Sequence, residues 1–173
     1  QRTCKIEVNK PSGAVTPAVG NLDFTVQGYN QILGDFTCPT GTFRIGGSLF
    51  ASQNIFQHQA GTFTHSNGLV AFDAGAFSCT QYTYLIDVLA GTLFYDVELN
   101  SNIFACGVNH IFNTASGDVV TSVHNLTHTD GIINGLFSLD NNLTINAGAD
   151  GGTGTITFDG TGAQTYFQAA GSQ

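Results

Sequence analysis

Short runs in which apolar and polar residues alternate recur along the chain and predict β-strands. Leu22, Phe24 and Val26, for example, alternate with polar residues. A period of two places the apolar side chains of a strand on one face. No Lys/Glu-rich amphipathic stretch typical of a helix is present, so we predict an all-β fold. The later alternating runs are centred on Phe43 and Ile45, Val70 and Phe72, Tyr82 to Val88, Tyr95 to Leu99, Leu143 and Ile145, and Ile156 and Phe158.

A phrase made of glycine, a short strand and an Asp/Asn-containing corner returns several times. Its clearest copies are GLVAFDAGAF at residues 68–77 and GTITFDGTGA at residues 154–163. Recurring phrases of this kind are typical of stacked β architectures, in which each unit buries its apolar face against its neighbours. The chain therefore predicts a stack of short strands.

Corner dipeptides separate the predicted strands and supply the positive φ angles of tight turns. Such corners either close antiparallel hairpins or form the corners of a parallel coil. The distances from Gly41 to Gly61 and from Gly135 to Gly154 fit one coil each, whereas the longer distance from Gly61 to Gly91 requires an insertion. The corner dipeptides are Asn67-Gly68, Asp130-Gly131, Asn134-Gly135, Asp150-Gly151 and Asp159-Gly160.

The start of the chain is predicted to differ from the rest. Residues 3–9 alternate, with Ile6 and Val8 on one face, and predict a half-buried strand. The segment Pro11-Ser-Gly13 is expected to end that strand, and the segment from Pro17 to Gly20 predicts a second flexible stretch. We therefore expect an N-terminal arm and linker at residues 1–20, followed by one β-rich body at residues 21–173.

Residues 61–102 and 136–165 resemble bacterial secreted and cell-surface proteins of the β-solenoid adhesin type. The resemblance is carried by the phrases GTFTHSNGLVAFDAGAF, GTLFYDVELNSN, NNLTINAG and GTITFDGTGAQTY, which would form successive rungs. It covers about half of the chain and implies a single-domain, right-handed β-solenoid with an extracellular structural role. The first forty residues do not match, which leaves a β-sandwich or jelly roll as the alternative.

Charge narrows the choice of partners. Only 9% of residues are charged, against about 25% in ordinary globular chains. The net charge is −8, whereas three of the four basic residues, Arg2, Lys5 and Lys10, lie within the first ten positions. Nucleic-acid binding requires clustered Lys and Arg along the binding surface, so we expect no nucleic-acid partner. A short basic arm is instead joined to an acidic body.

Localisation is predicted to be extracellular or on the cell surface. The chain lacks methionine and begins at Gln1, which is typical of a secreted product whose signal peptide has been removed. A chain cut at that position would look the same. No run of 18 apolar residues occurs, and so no membrane span is expected.

The four cysteines predict two disulfide bonds. They show no C-x-x-C pair and no spacing typical of a metal site, and an even number in a secreted chain is typical of disulfides. Three pairings are open. We favour Cys4–Cys38 and Cys79–Cys106 because neighbouring segments meet more often than distant ones, with free buried thiols as the alternative.

No catalytic constellation is recognisable, and we predict that the protein is not an enzyme and has no cofactor. The only glutamates are Glu7 and Glu98, and the aspartates are scattered singly. Glycoside hydrolysis would need two opposed carboxyl groups. Nucleophile elbows and phosphate-binding loops are also absent from the sequence.

Two histidines and three aspartates are candidate metal ligands. His124 and His128 would place both rings on one face of a strand, but no third ligand for zinc is close in sequence, so polar-face histidines are expected. A weaker hypothesis is a Ca²⁺ site built from aspartate oxygens. Its candidate ligands are Asp140, Asp150 and Asp159.

Asparagine modification is a further candidate. Asn125-Leu-Thr127 and Asn142-Leu-Thr144 are N-glycosylation sequons. They matter only in a host that glycosylates secreted proteins.

The function that these features favour is a secreted structural protein that assembles with itself, head to tail, into a surface fibre. The strand phrases run to Tyr166 and Phe167 with no polar cap after them, and few charges protect the strand edges. We expect an N-terminal strand to add to the sheet edge of a neighbouring subunit. The residues of that assembly strand are Lys5, Ile6, Glu7 and Val8.

The alternative function is a β module or adhesin that binds carbohydrate or ice on a Thr-rich face. Only Thr62 with Thr64, and Thr153 with Thr155 and Thr157, form the required Thr-x-Thr pattern. A surface polysaccharide is accordingly a candidate partner. A polysaccharide lyase ranks third, since the chain lacks the clustered acids or basic residues of such an enzyme.

Overall fold

The computed structural model describes residues 4–18, 22–48, 51–75, 79–101 and 107–172. Within these ranges the chain forms β-strands and no helix, as the sequence predicted. The strands are β1 (Lys5–Val15), β2 (Phe24–Val26), β3 (Gly28–Thr37), β4 (Thr42–Ser48), β5 (Gln53–His58), β6 (Phe63–Thr64), β7 (Leu69–Gly75), β8 (Thr83–Asp87), β9 (Leu93–Phe94), β10 (Asp96–Asn100), β11 (Ile111–Thr114), β12 (Val119–Ser122), β13 (Asn125–Asn134), β14 (Leu136–Leu139), β15 (Asn142–Ala149), β16 (Thr155–Phe158) and β17 (Tyr166–Gln168).

All strand pairs in the described ranges are parallel, and the chain visits three faces in turn. Face A contains β1, β3, β5, β8, β11 and the second half of β13. Face C contains the ends of β1 and β3, followed by β6, β9, β12, β14 and β16. Face B contains β2, β4, β7, β10, the first half of β13, β15 and β17.

This order of visits makes a parallel, solenoid-like coil. Each strand pairs with the strand one coil earlier on the same face, as in Phe43↔Val70 and Val70↔Val97. A β-sandwich or jelly roll is built from antiparallel strands, so that alternative is wrong for the described residues. The corners are those of a parallel coil and not of hairpins.

The coils differ in length, and the difference lies mainly in the connections from face B to face A. Phe43 and Val70 are 27 residues apart, whereas Leu126 and Leu143, one coil apart near the C-terminal end, are separated by only 17. Strand β13 passes through this corner without interruption. The longest connection instead lies between Asn100, which ends β10, and Ile111, which begins β11.

The core is a column of inward-facing side chains through the coil. The aromatic rings cluster in the longer N-terminal coils, where Phe56 lies 5.0 Å from Tyr29 and 5.4 Å from Phe94 between ring centroids. The shorter C-terminal coils bury mainly aliphatic side chains, such as Leu126 and Leu143, together with Phe137. Burial on this scale supplies the main stabilising term of the fold.

Buried polar side chains bond the corner carbonyl groups. Gln31 Nε2 donates to the carbonyl oxygens of Gly34 at 2.6 Å and Thr62 at 3.1 Å. In the next coil, His58 Nε2 lies 3.1 Å from the carbonyl oxygen of Gly61, three residues later in the same corner. These contacts satisfy carbonyl groups that the corner removes from the sheet, which would otherwise be costly to bury.

The structure corrects several details of the predicted repeat. The two clearest copies of the phrase lie on different faces, since Leu69 belongs to face B and Thr155 to face C. The spacing from Gly41 to Gly61 is not one coil, because Thr42 pairs with Leu69. The spacing from Gly135 to Gly154 is confirmed by the bond from Thr155 N to Gly135 O.

The N-terminal strand is also longer than predicted. It runs over Lys5–Val15, and the segment with Pro11 and Gly13 coincides with a register shift between Asn9 and Ala14 instead of ending the strand. Lys5 to Val8 pair with β3 of the same chain. The boundary at residue 20 stays a prediction.

A search of the described residues for a helix long and apolar enough to cross a membrane found none.

Candidate functional site

The N-terminal end of the coil exposes side chains that face inward. Val15, Leu22 and Phe24 are 38–50% exposed, because β1 and β2 are the last described strands of their faces at this end. Between them lies a cavity of about 320 Å³, also lined by Ile6, Pro17 and Phe36. Phe24 stacks on Phe43 of the next coil at 5.8 Å and leaves its other side uncovered.

The C-terminal end is uncovered in the same way. Phe158, Tyr166 and Phe167 are 41–59% exposed. Tyr166 pairs with Leu143 and Phe158 with Leu139, and both of those earlier partners are buried. Tyr166 and Phe158 therefore occupy inward positions that a further coil would cover.

The two ends differ in charge. Among the described residues, the N-terminal end carries Lys5 and Lys10 against Glu7 and Asp23, all four exposed. The last coils carry Asp140, Asp150 and Asp159, and the sequence contains no Lys or Arg after Arg44. One end of the coil thus carries lysines and balanced charge, and the other is acidic.

The cysteines only partly follow the prediction. Cys4 and Cys38 are free thiols, so the predicted Cys4–Cys38 bond is wrong: Cys4 is exposed ahead of β1, whereas Cys38 is buried behind β3. Burial raises the pKa of the Cys38 thiol well above its usual value, which keeps it protonated and unreactive. Cys79 is disulfide-bonded. Cys106 lies outside the described residues, and the Cys79–Cys106 pair stays a prediction.

His124 and His128 do not share a face. His124 lies at the corner before β13, where Nδ1 is 2.8 Å from Asp96 Oδ1 and the ring stacks on Tyr95 at 4.4 Å. His128 is buried, with Nε2 2.8 Å from the carbonyl oxygen of Gly131. The expectation of two polar-face histidines is therefore wrong for His128, whose pKa is lowered by burial.

The three aspartates proposed for Ca²⁺ lie at different corners. Asp140 and Asp159 follow face C in adjacent coils, whereas Asp150 follows face B. Asp159 Oδ2 accepts a hydrogen bond from Ser138 at 2.6 Å. Among the described residues no group of three His, Cys, Asp or Glu side chains is placed to hold a metal ion.

A half-buried carboxyl pair, Asp130 and Asp150, lies near the C-terminal end. Burial, followed by the charge of Asp150, raises the pKa of Asp130 from 3.8 to about 6. Asp150 Oδ2 is itself buried, with no hydrogen-bond partner among the described residues. The two carboxyl groups therefore destabilise each other when both are ionised.

The sequon asparagines form a ladder at the corner from face C to face B. Asn125 pairs with Asn142 in the next coil, and Asn142 Nδ2 donates to Asn125 Oδ1 at 3.1 Å. Asn142 Oδ1 in turn accepts from the backbone N–H of Thr165 at 3.1 Å. A glycan on Asn142 Nδ2 would crowd the bond to Asn125, so glycosylation stays a prediction that the ladder disfavours.

The Thr-rich rows are interrupted. On the outer side of face C, Thr121, Ser138 and Thr157 occupy one row through successive coils, but the adjacent row places Leu136 next to Thr155. A flat Thr-x-Thr array of the kind proposed for ice or carbohydrate binding is not formed there.

The N-terminal cavity was not predicted from the sequence. Its walls come from three separated segments, around Ile6, Leu22 and Pro39, which only the coil brings together. The available signal was the apolar Leu22 and Phe24 directly after a flexible stretch.

Comparisons of the chain with protein-family models, with curated proteins and with solved structures found no match.

Proposed function

We infer that the protein is an extracellular structural subunit that assembles end to end into a fibre. The observation that carries this proposal is that inward-facing apolar side chains are exposed at both ends of the coil. Exposed apolar surface of this kind is typical of interaction sites. A second copy stacked on either end would cover it by continuing the parallel sheets.

The proposal modifies the expected strand addition. Lys5, Ile6, Glu7 and Val8 lie in the first coil of their own subunit and pair with β3. The strand can still meet a neighbour through its outer edge, since β1 is the end strand of its sheet in the described residues. Sheet continuation across subunits is an established mode of strand addition. A head-to-tail contact of this type is not self-complementary and generates an open filament.

We propose further that the coil is right-handed and that the protein is extracellular. Crossovers between parallel strands of one sheet are right-handed in nearly all proteins. The disulfide at Cys79 favours an oxidising compartment.

The carbohydrate- or ice-binding alternative has less support, because Leu136 interrupts the Thr rows.

The test is sedimentation velocity and electron microscopy of the purified protein over a range of concentrations. We expect fibres that lengthen with concentration. Phe158→Asp should abolish them, because it places a charge in the end contact. Leu136→Asp is the matched control, since Leu136 is equally exposed but lies on the flank of the coil. A wild-type protein that stays monomeric at all concentrations would contradict the proposal.

A further inference from the structure

We propose that the N-terminal cavity receives Tyr166 of a second copy, so that β17 of one subunit pairs in parallel with β2 of the next. This inference rests on the proposed fibre and specifies its contact. Tyr166 lies opposite Leu143 at the end of the face B column, and Phe24 lies opposite Phe43 at its start. Stacking two subunits in that register makes Tyr166 the next ring above Phe24.

The strand lengths agree with this register. Strands β2 and β17 both contain three residues, Phe24–Val26 and Tyr166–Gln168. Pairing Tyr166 with Phe24 places Gln168 beside Val26, both at inward positions. Phe167 then lies beside Thr25 on the outer side of face B. On face C, the same stacking brings Phe158 towards Val15, so that exposed apolar side chains of both ends cover one another.

A buried counterpart within the coil shows that this tyrosine suits an interior position. Tyr29 Oη donates to Gln31 Oε1 at 2.6 Å, and both side chains are fully covered by the neighbouring coils. Tyr166 makes the same bond to Gln168 two residues later. The hydroxyl group of Tyr166 thus already has its partner and can be buried without an unsatisfied donor.

Charge complementarity favours a second copy as the occupant of the cavity. The end that carries Lys5 and Lys10 would meet the end that carries Asp140 and Asp159. Lysines near these carboxylates increase the association rate, whereas two acidic ends would repel each other, so charge favours the contact between unlike ends. Raised salt should accordingly slow fibre growth.

The test uses two variants that block opposite ends. Phe24→Asp removes the receiving end and Tyr166→Asp the inserting end, and each variant should sediment as a monomer. An equimolar mixture should form a dimer and nothing longer, because only one productive pair of ends remains. Leu89→Asp, which matches Phe24 in exposure but lies on the flank, should form normal fibres. Leu22→Asp replaces Phe24→Asp if circular dichroism shows that the latter is unfolded.

The register is tested by disulfide cross-linking. Adjacent strands are about 4.8 Å apart, within the range that a disulfide spans. In a chain whose exposed thiol is removed by Cys4→Ser, the pair Thr25→Cys and Phe167→Cys should form covalent oligomers on oxidation. The pair Thr25→Cys and Thr157→Cys, on different faces, should not.

Failure of the contact is distinguishable from failure of the fibre. Fibres from wild type together with normal fibres from Phe24→Asp or Tyr166→Asp would overturn this contact and leave the fibre intact. Dimers of one variant alone would show an isologous contact and also overturn it. A small apolar molecule bound in the cavity, with no dimer in the mixture, would make the cavity a ligand site instead. Monomeric wild type would overturn the fibre and the contact together.

Discussion

Phe56 and Phe24 both face into the coil, yet one is fully buried and the other is 39% exposed. Phe56 belongs to a central coil with neighbours on both sides, whereas Phe24 has a neighbouring coil on one side only. The same inward position therefore stabilises the fold in a central coil and leaves exposed apolar surface in an end coil. In a stacked architecture the neighbouring coil, more than the residue itself, determines what a side chain contributes.

The largest expected effect is the loss of stability when Phe56 in a central coil, compared with Phe24 in an end coil, is replaced by alanine. Phe56→Ala should lower the free energy of unfolding by about 3–5 kcal/mol, because it leaves a cavity among Tyr29, Phe63 and Phe94. Phe24→Ala should cost less than half as much, since part of its ring is already in water. Urea unfolding of both variants measures the difference. Equal losses would contradict the distinction between central and end coils.

A glycine pair isolates the contribution of the neighbouring coil. Gly61 and Gly91 have nearly the same φ, +87° and +86°, but a Cβ on Gly61 would lie 1.9 Å from the carbonyl oxygen of Gly34, whereas one on Gly91 meets nothing within 4 Å. Gly91→Ala should cost about 1–2 kcal/mol from the backbone conformation alone. Gly61→Ala should cost about 3 kcal/mol or more, because two coils must also separate.

The two glycine variants are compared by thermal unfolding. Similar melting temperatures would show that backbone conformation, and not the contact between coils, requires glycine at these corners. A fully unfolded Gly61→Ala chain beside a folded Gly91→Ala chain would still agree with the expectation.

Sequence patterns predicted the strands whose inward positions are all apolar. Strands β4 and β7 were recognised because their inward positions hold apolar residues such as Phe43 and Phe72. Strands β3 and β13 were missed because Gln31 and His128 occupy buried positions and disrupt the apolar pattern. In β5 an irregularity buries Ile55 as well as its neighbour. Polar residues that bond corner carbonyl groups are invisible to a periodicity rule.

The candidate site was predictable only at one end. The apolar strand that reaches Tyr166 and Phe167 without a polar cap was visible in the sequence. At the other end, the pairing of β1 with β3 and the cavity beside Leu22 depend on contacts between distant segments. The number of residues in each coil could not be predicted from the sequence either, because long connections interrupt the regular spacing of the corners.

The smallest expected effect concerns the carboxyl pair near the C-terminal end. The pKa of Asp130 is raised from 3.8 to about 6 in the folded protein, so the folded state binds its proton more tightly than the unfolded state. Stability should therefore fall as the pH rises from about 4 to about 6. Asp130→Asn mimics the protonated carboxyl group and should raise the free energy of unfolding at pH 7 by about 1 kcal/mol, after allowance for solvent screening.

Urea unfolding at several pH values separates this effect from that of the buried histidines. Burial lowers the pKa of His58 and His128, which opposes folding as the pH falls below about 6.5, but both histidines are common to the variant and the wild type. The gain from Asp130→Asn should vanish near pH 4, where Asp130 is protonated in the folded protein. Asp140→Asn removes the same charge from an exposed corner and should change stability little. A gain that persists at pH 4, or an equal gain from Asp140→Asn, would assign the effect to net charge instead of the half-buried pair of Asp130 and Asp150.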